Sequence, residues 1–184
     1  MAKLVEKAYG DALFDLSIEL SKVDELFEEA KGIRTVLDEN AELMQLLTHP
    51  KVDKEEKVKV IENVFKGRVS DDMTGFMVLV TKKDRQKFLS KILDYYIDKV
   101  KEYKKIGVAT VTTAYELDAS KKAMVEKKLI DTTAYDSFET TYIVDESLIG
   151  GMIIRVGDKV IDSSLKHQIE AMSRELYKIR LERW

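Results

Sequence analysis

The residues most suggestive of chemistry are the glycines of the segment Asp-Glu-Ser-Leu-Ile-Gly-Gly-Met-Ile-Ile-Arg-Val-Gly-Asp, at positions 145–158. Glycine-rich loops bind phosphate groups when their spacing is that of a P-loop or of a dinucleotide fingerprint. Gly150, Gly151 and Gly157 have neither spacing. Gly157-Asp158 lies between two short apolar runs, which predicts the two-residue turn of a β-hairpin that leads into a helix.

Other residue types used in catalysis and metal binding are sparse. The chain has no cysteine, which excludes disulfides and thiolate chemistry. His49 and His167 are far apart and lack metal-ligand spacing, so we expect neither to bind a metal or act in catalysis. Acidic pairs such as Asp71-Asp72 fit the first turn of a helix, where the helix dipole favours carboxylates. These patterns predict a binding or structural role with no cofactor and no metal.

Composition limits the class of protein. The chain has 184 residues, 45% of them hydrophobic and 35% charged, which predicts a soluble globular protein of one domain or two small ones. A net charge of −3 gives no electrostatic reason to expect nucleic acid. No targeting segment is recognisable at the start, and no apolar run approaches the roughly twenty residues that span a bilayer. We therefore expect a cytoplasmic protein that reaches a membrane only through a partner.

Residues 1–105 show a helical repeat of apolar residues at steps of three and four. The pattern predicts six short helices in an antiparallel bundle. Ser21, Asp53, Ser70 and Asp84 are each expected to cap the start of a helix. The only proline, Pro50, predicts a break at the residue before it.

Residues 106–184 show a different pattern, and we expect them to form a small α+β domain. The segments 108–115 and 138–144 are rich in Val, Thr and aromatic residues, which favours strands. Asp118 or Ser120 is expected to cap the helix between them. The final helix is predicted to be amphipathic, and its apolar stripe consists of Leu165, Ile169, Met172, Leu176 and Ile179. The fold class is thus mainly α, with a helical bundle followed by a smaller α+β domain.

Several motifs together resemble one family. Residues 9–14 read Tyr-Gly-Asp-Ala-Leu-Phe, residues 85–92 place Arg85, Leu89 and Ile92 in a spaced pattern, and the hairpin carries a glycine signature. The signature residues are Gly150, Gly151, Arg155, Gly157, Asp158 and Asp162. These motifs resemble the δ subunit of bacterial and chloroplast ATP synthases, whose mitochondrial counterpart is the oligomycin-sensitivity-conferring protein.

Two positions depart from the family pattern. Gly10 stands where alanine is usual, and Ser163-Ser164 replaces a usual Gly-Ser. Since glycine is the poorer helix former, we expect Gly10 to loosen the first helix by about 1 kcal/mol relative to alanine. Neither departure removes a chemically necessary group.

The resemblance implies a non-catalytic stator subunit of the F-type, proton-translocating ATP synthase. Such a subunit links the amino-terminal helices of the α subunits to the b-subunit stalk and resists rotor torque during ATP synthesis. The implied location is the cytoplasmic side of the cell membrane, peripherally and as part of the complex. The implied form in isolation is a monomer.

The resemblance also suggests where the partners bind. Small residues on the first helix and a methionine-rich face on the fifth predict the groove for an α-subunit helix. The predicted groove residues are Ala8, Tyr9, Ala12, Leu13, Met73, Phe76, Met77 and Val80. The stalk is expected to meet the second domain, at the strand 150–156 or at the final helix. Packing within the protein's own core is the alternative use of each of these faces.

Two other functions remain open from the sequence. A two-domain helical adaptor with other partners would use the same amphipathic faces. A small enzyme with its site near Lys104, Lys105 and Gly107 would need convergent titratable groups there. Co-purification with ATP synthase subunits distinguishes the stator from the adaptor.

Overall fold

The computed structural model describes the backbone of residues 2–181 and the side chains of residues 3–174. The protein is mainly helical and has one small sheet of four strands in the part described. It divides into two compact units between Tyr103 and Lys104, close to the change of sequence pattern at residue 105. None of the described helices is both long and apolar enough to cross a membrane.

The first unit is built from helices. They are α1 (Ala2–Glu19), α2 (Val23–Glu39), α3 (Ala41–Thr48), α4 (Lys54–Phe65), α5 (Asp71–Lys82) and α6 (Leu89–Tyr103), with a short 3₁₀ helix at Gln86–Phe88. Each contributes one apolar face to a shared core, as the sequence periodicity predicts. The largest fully buried side chains include Leu13, Leu26, Ile33, Ile61, Met73, Met77, Leu93 and Tyr96.

The start of α5 is fixed by a hydrogen-bonded cap. The Ser70 hydroxyl oxygen accepts from the Met73 backbone N–H at 3.2 Å, which confirms the predicted cap. The backbone N–H and the hydroxyl of Ser70 donate to the two carboxylate oxygens of Glu29 at 2.6 and 2.7 Å. Because Glu29 belongs to α2, this network holds the start of α5 against α2.

Two predicted caps are wrong, for the same physical reason. Ser21 and Asp84 have φ of 55° and 56°, so each is a left-handed residue. The N–H after each one, on Lys22 and Arg85, donates to the carbonyl five residues back, at Ser17 and Val80. This is the Schellman closure of a helix carboxyl end. Both residues therefore end the preceding helix instead of starting the next.

The predicted boundaries at Asp53 and before Pro50 both lie where the sequence places them. Asp53 does lie at the amino-terminal cap of α4, but its side chain makes no capping hydrogen bond. The break before Pro50 is confirmed, because α3 ends at Thr48 and His49 is extended.

The second unit is a mixed sheet with flanking helices. Its elements are β1 (Ile106–Thr113), α7 (Ala119–Thr132), β2 (Ser137–Val144), β3 (Met152–Val156), β4 (Lys159–Asp162) and α8 (Leu165–Leu181). The strand order is β2-β1-β3-β4; β1 and β2 are parallel, and the other neighbours are antiparallel. A parallel pair needs a crossover connection, which α7 supplies. Asp118, and not Ser120, caps α7 by accepting from the Lys121 N–H at 2.8 Å.

One face of this sheet packs on α7. Ala109 and Val111 of β1 are buried on that side, and the Tyr142 hydroxyl of β2 donates to the Lys122 carbonyl at 3.2 Å. The final helix, α8, begins at Leu165, which is the first residue of its predicted apolar stripe. Of its predicted stripe, the side chains of Leu176 and Ile179 lie outside the described residues.

Candidate functional site

An open, mostly apolar groove of about 610 Å³ lies between α1 and α5. Its lining residues are Ala8, Tyr9, Ala12 and Leu16 from α1 and Asp71, Asp72, Gly75, Phe76 and Leu79 from α5. The small residues leave the space open: a Cβ added at Gly75 would meet no atom within 4 Å. A groove of this kind can receive an amphipathic helix, because the apolar face of the helix displaces water from both walls of the groove.

The structure brings half of the predicted groove residues to this site. Ala8, Tyr9, Ala12 and Phe76 line it. The other four, which are Leu13, Met73, Met77 and Val80, are completely buried in the core of the first unit. The methionine-rich face of α5 therefore packs into the core. None of these four buried residues is accessible to a partner.

Sequence reasoning found Phe76 on the groove side of α5 but missed Gly75 and Leu79. Gly75 and Leu79 are four residues apart, on a face of α5 that is rotated away from the core stripe of Met73, Met77 and Val80. Leu79 is 49% exposed, although it is a large aliphatic residue within α5. The signal available in the sequence was this second, shorter stripe. Leu16 continues the same surface on α1.

One end of the groove is acidic. Asp71 is exposed there, and Asp72 pairs with Lys22 at 2.9 Å between Oδ2 and Nζ. This hydrogen bond from Lys22 to Asp72 raises the pKa of the Lys22 ammonium. Since Lys22 follows the carboxyl end of α1, the pair ties that end of α1 to the amino end of α5.

The side of α1 remote from the groove is held by α6. The Asp11 carboxylate accepts from the Lys99 ammonium and, at 3.1 Å, from the Tyr95 hydroxyl. The hydrogen bond from Lys99 lowers the pKa of Asp11 and raises that of Lys99. Lys99 also lies over the ring of Phe14, 4.6 Å from its centroid. These contacts fix the position of the groove wall that α1 forms.

The predicted hairpin is present in the second unit. Val156 pairs with Lys159, which leaves Gly157 and Asp158 as a two-residue turn. Gly157 has φ of 56°, a conformation that glycine adopts without strain. Arg155 is exposed on β3 and lies opposite Val160.

The glycine signature also joins the start of α8 to the start of β3. Gly151 has φ of 76°, and a Cβ there would lie 2.3 Å from the Ser163 carbonyl oxygen. The Leu165 N–H donates to the Gly150 carbonyl at 2.9 Å. Asp162 accepts from the Ser164 N–H at 2.9 Å, and its hydrogen bonds with Ser164 lower the Asp162 pKa. The signature therefore has a positioning role, and it forms no phosphate loop.

The serine pair that departs from the family pattern takes part in the same junction. The Ser163 hydroxyl donates to the Met152 carbonyl at 2.9 Å. The buried Ser164 hydroxyl oxygen accepts from the His167 N–H at 3.2 Å, in the first turn of α8. His167 itself lies beside Asp162, with 3.8 Å between Nδ1 and Oδ2. The departure at Ser163 thus adds one hydrogen bond, to the start of β3, while the bond at the start of α8 comes from Ser164, the usual serine.

The described part of α8 presents an apolar stripe to solvent. Leu165, Ile169 and Met172 recur at steps of four and three, and all three are exposed. An exposed apolar stripe of this kind has the spacing by which two helices pack against each other.

The chemistry available is that of binding surfaces. Among the residues that the structure describes, no three His, Asp or Glu side chains come together as metal ligands. The groove walls offer small and apolar side chains with carboxylates at one end. This arrangement suits recognition of an amphipathic helix.

Comparison with known proteins gives consistent results along the whole chain. The family model described as ATP synthase delta (OSCP) subunit matches residues 5–176. The ATP synthase subunit delta of Lachnoclostridium phytofermentans is 52% identical over 181 residues, which cover 98% of this chain and 100% of that protein. The ATP synthase subunit delta of Prochlorococcus marinus is 33% identical over 174 residues, which cover 95% of this chain and 97% of that protein.

A solved structure has the same fold. A chain of the Toxoplasma gondii mitochondrial ATP synthase hexamer superimposes with a TM-score of 0.71 and 15% sequence identity. The match covers 94% of this chain and 97% of that chain.

Proposed function

Since this chain belongs to the ATP synthase delta (OSCP) subunit family, a non-catalytic component of the peripheral stalk of F-type ATP synthases, we propose that it joins the α subunits to the b-subunit stalk. A stator must hold the catalytic head still while the rotor turns. That task needs two firm binding surfaces and no reaction centre. The single observation that carries the proposal is the open groove between α1 and α5, in a chain whose family assembles with other synthase subunits.

We infer that the first unit binds the amino-terminal helix of an α subunit in this groove. Ala8 and Ala12 let a helix approach α1 closely, while Leu79 and the nearly buried Phe76 offer apolar surface on α5. A bundle of antiparallel helices, as the sequence predicts, supplies such grooves between neighbouring helices. Burial of the exposed part of Leu79 would contribute to affinity through the hydrophobic effect.

The experiment is calorimetric titration with a synthetic peptide copying the α-subunit amino terminus of the same organism. Leu79→Asp should weaken binding at least tenfold, because it places a carboxylate against the apolar face of the ligand. The matched control is Leu46→Asp: Leu46 is a 40% exposed leucine on α3, against 49% for Leu79, and it does not line the groove. Equal affinities for the two variants would reject the groove.

We infer that the stalk binds the second unit through the exposed stripe of α8. The strand β3 is paired on both sides, with β1 and with β4, so its backbone cannot accept a further strand. The residues Leu165, Ile169 and Met172 are exposed together. A helix of the stalk can pack along them as in a coiled coil.

Co-purification with a soluble b-subunit fragment tests this surface in the full chain. Ile169→Asp should abolish recovery of the fragment and leave binding of the α peptide unchanged. Ile130→Asp is the control, because Ile130 is a 39% exposed isoleucine on α7, whereas Ile169 is 56% exposed on α8. Full recovery with Ile169→Asp would mean that the stalk binds elsewhere.

The proposed location follows from the assembly. As part of the synthase, the protein lies at the cytoplasmic side of the cell membrane and contacts the membrane only through its partners. Fractionation tests this: the chain should sediment with membranes that contain the synthase and stay soluble without it.

A further inference from the structure

A polar crevice of about 290 Å³ lies between the first turns of α8 and the adjoining end of the sheet. Its charged and titratable lining residues are Asp145, Asp162, Lys166, His167 and Glu170. Three carboxylates and one ammonium line it, so their net charge is −2 when the imidazole of His167 is neutral. Histidine is the side chain whose charge ordinarily changes between about pH 5 and 8, so the crevice holds a group that responds to pH in that range.

The two oxygens of the Asp162 carboxylate have different partners. Oδ1 accepts from the Ser164 N–H at 2.9 Å, in the turn between β4 and α8. Oδ2 lies 3.8 Å from Nδ1 of His167. The Ser164 hydroxyl oxygen also accepts from the backbone N–H of His167, which fixes residue 167 beside Asp162. One carboxylate oxygen is therefore used by the turn, and the other faces the imidazole.

The other charges of the crevice come from three elements. Asp145 precedes the 3₁₀ helix Glu146–Leu148; its pKa is lowered mainly by its hydrogen bonds with Ser147 and also by the charge of Lys166. Glu170 lies three residues after His167, on the same side of α8. The amino end of the α8 dipole opposes a cation at His167, whereas Asp162 and Glu170 attract one. Because the pKa of Asp162 is lowered by its hydrogen bonds with Ser164, Asp162 stays ionised near neutral pH.

We propose that His167 and Asp162 form a pH-sensitive latch at the base of α8. When the imidazole binds a proton, its charge pairs with Oδ2 of Asp162 and ties the first turn of α8 to β4. When the proton leaves, the neutral ring no longer forms this ion pair, and the hydrogen bonds of Ser164 and of the Gly150 carbonyl remain. The latch is closed at low pH and opens as the pH rises through the range in which histidine titrates.

The consequence for binding rests on the proposed function, in which the exposed stripe of Leu165, Ile169 and Met172 receives the stalk. At 100° per residue His167 points about 160° away from Ile169, so a helix on the stripe leaves the latch uncovered. A closed latch holds the stripe in one direction before the stalk arrives. This lowers the entropy that binding must remove, so the stalk should bind more tightly when the latch is closed.

Native-state hydrogen exchange tests the latch in the full chain without any partner. The amides of residues 168–172 should be about two- to fivefold better protected near pH 6 than near pH 8, after correction for intrinsic exchange, as a half-exposed ion pair allows. Asp162→Asn should remove this difference, because asparagine keeps the acceptor for the Ser164 N–H and loses the charge. His167→Gln should remove it as well.

Two variants serve as controls. His49→Gln changes the only other histidine, which lies at the end of α3, and should leave the pH difference intact. Asp145→Asn removes a different carboxylate of the same crevice and should keep most of it. Equal protection at both pH values in the unmodified chain would overturn the latch. So would a difference that survives Asp162→Asn, or one that Asp145→Asn removes as completely.

Titration of a soluble b-subunit fragment near pH 6 and near pH 8 tests the consequence. Its affinity for the unmodified chain should be about two- to fivefold higher at the lower pH, and this ratio should approach one with Asp162→Asn. An unchanged ratio in that variant would show that the latch does not act on stalk binding. Absence of binding at either pH would contradict the assignment of the stalk to this chain, while hydrogen exchange still decides whether the latch exists.

Discussion

Gly10 of α1 lies directly against the ring of Tyr95 on α6: a Cβ at residue 10 would be 2.3 Å from Tyr95 Cδ1. The sequence alone suggested that glycine weakens this helix relative to alanine. The packing reverses that expectation, since alanine cannot fit without displacing the ring. The same Tyr95 donates its hydroxyl to Asp11, so one residue supplies both the close contact and a hydrogen bond between the two helices.

Gly10→Ala should therefore destabilise the protein, despite its better helix propensity. The expected loss is about 1–3 kcal/mol, the usual cost of overpacking a close contact. Urea unfolding followed by circular dichroism measures it. Adding Tyr95→Ala should make the Gly10→Ala change nearly neutral or favourable, because the ring is gone. An increase in stability with Gly10→Ala alone would show that the contact is not tight.

The Asp11 carboxylate should make the free energy of unfolding depend on pH in the acidic range. Its folded pKa is lowered from 3.8, chiefly by the hydrogen bond from Lys99. A lowered pKa means that the stabilising contribution is present above the unfolded pKa and is lost as pH falls through the folded pKa. Asp11→Asn should thus lower the urea midpoint at pH 7 and make it less dependent on pH below about 4. Glu62→Gln, an exposed change on α4, is the control and should leave the urea midpoint at pH 7 nearly unchanged.

The core side and the groove side of α5 should respond differently to truncation. Met77→Ala should cost about 2–5 kcal/mol, because Met77 is completely buried. Leu79→Ala should cost about 0.5 kcal/mol or less, since Leu79 is half exposed. Leu79→Ala should nevertheless weaken binding of the α peptide. Equal losses of stability in the two variants would contradict this division of α5.

The stability of the junction between β3 and α8 should depend more on Gly151 than on Gly157. Gly151→Ala combines an unfavourable φ with a clash against the Ser163 carbonyl, and should cost about 2 kcal/mol or more. Gly157→Ala meets no atom within 4 Å and should cost about 1 kcal/mol. Hydrogen exchange of the β3 and β4 amides measures both losses in the second unit. Equal protection in the two variants would show that the junction is not tight at Gly151.

The elements were predictable from sequence where one physical signal dominated. The hairpin follows from Gly157-Asp158 between β-branched runs, and the α5 start follows from Ser70. Ser21 and Asp84 were predicted wrongly, because serine and aspartate suit a helix start by side-chain chemistry. Both here take the left-handed conformation that closes the preceding helix. Whether such a residue caps the next helix or closes the preceding one depends on backbone hydrogen bonds, which the residue type does not specify.

The groove was only half predictable for a related reason. The faces of α5 that carry Met77 and Leu79 both follow helical spacing, so periodicity alone cannot say which faces the core. The prediction placed Met73, Met77 and Val80 of α5 against the partner, whereas the fold buries them in the core. Gly10 shows the same limit: its fit to Tyr95 depends on a contact across 85 positions of sequence, which composition and spacing do not reveal.

Reconstitution tests most directly whether this chain couples the catalytic head to the stalk. Membranes that retain the stalk are combined with catalytic head depleted of its delta subunit, and ATP-driven proton pumping is measured with and without this chain. We expect that adding the chain restores pumping and that the Leu79→Asp variant restores far less pumping than the Leu46→Asp variant. Pumping that stays at the depleted level after addition of the folded chain would contradict the account.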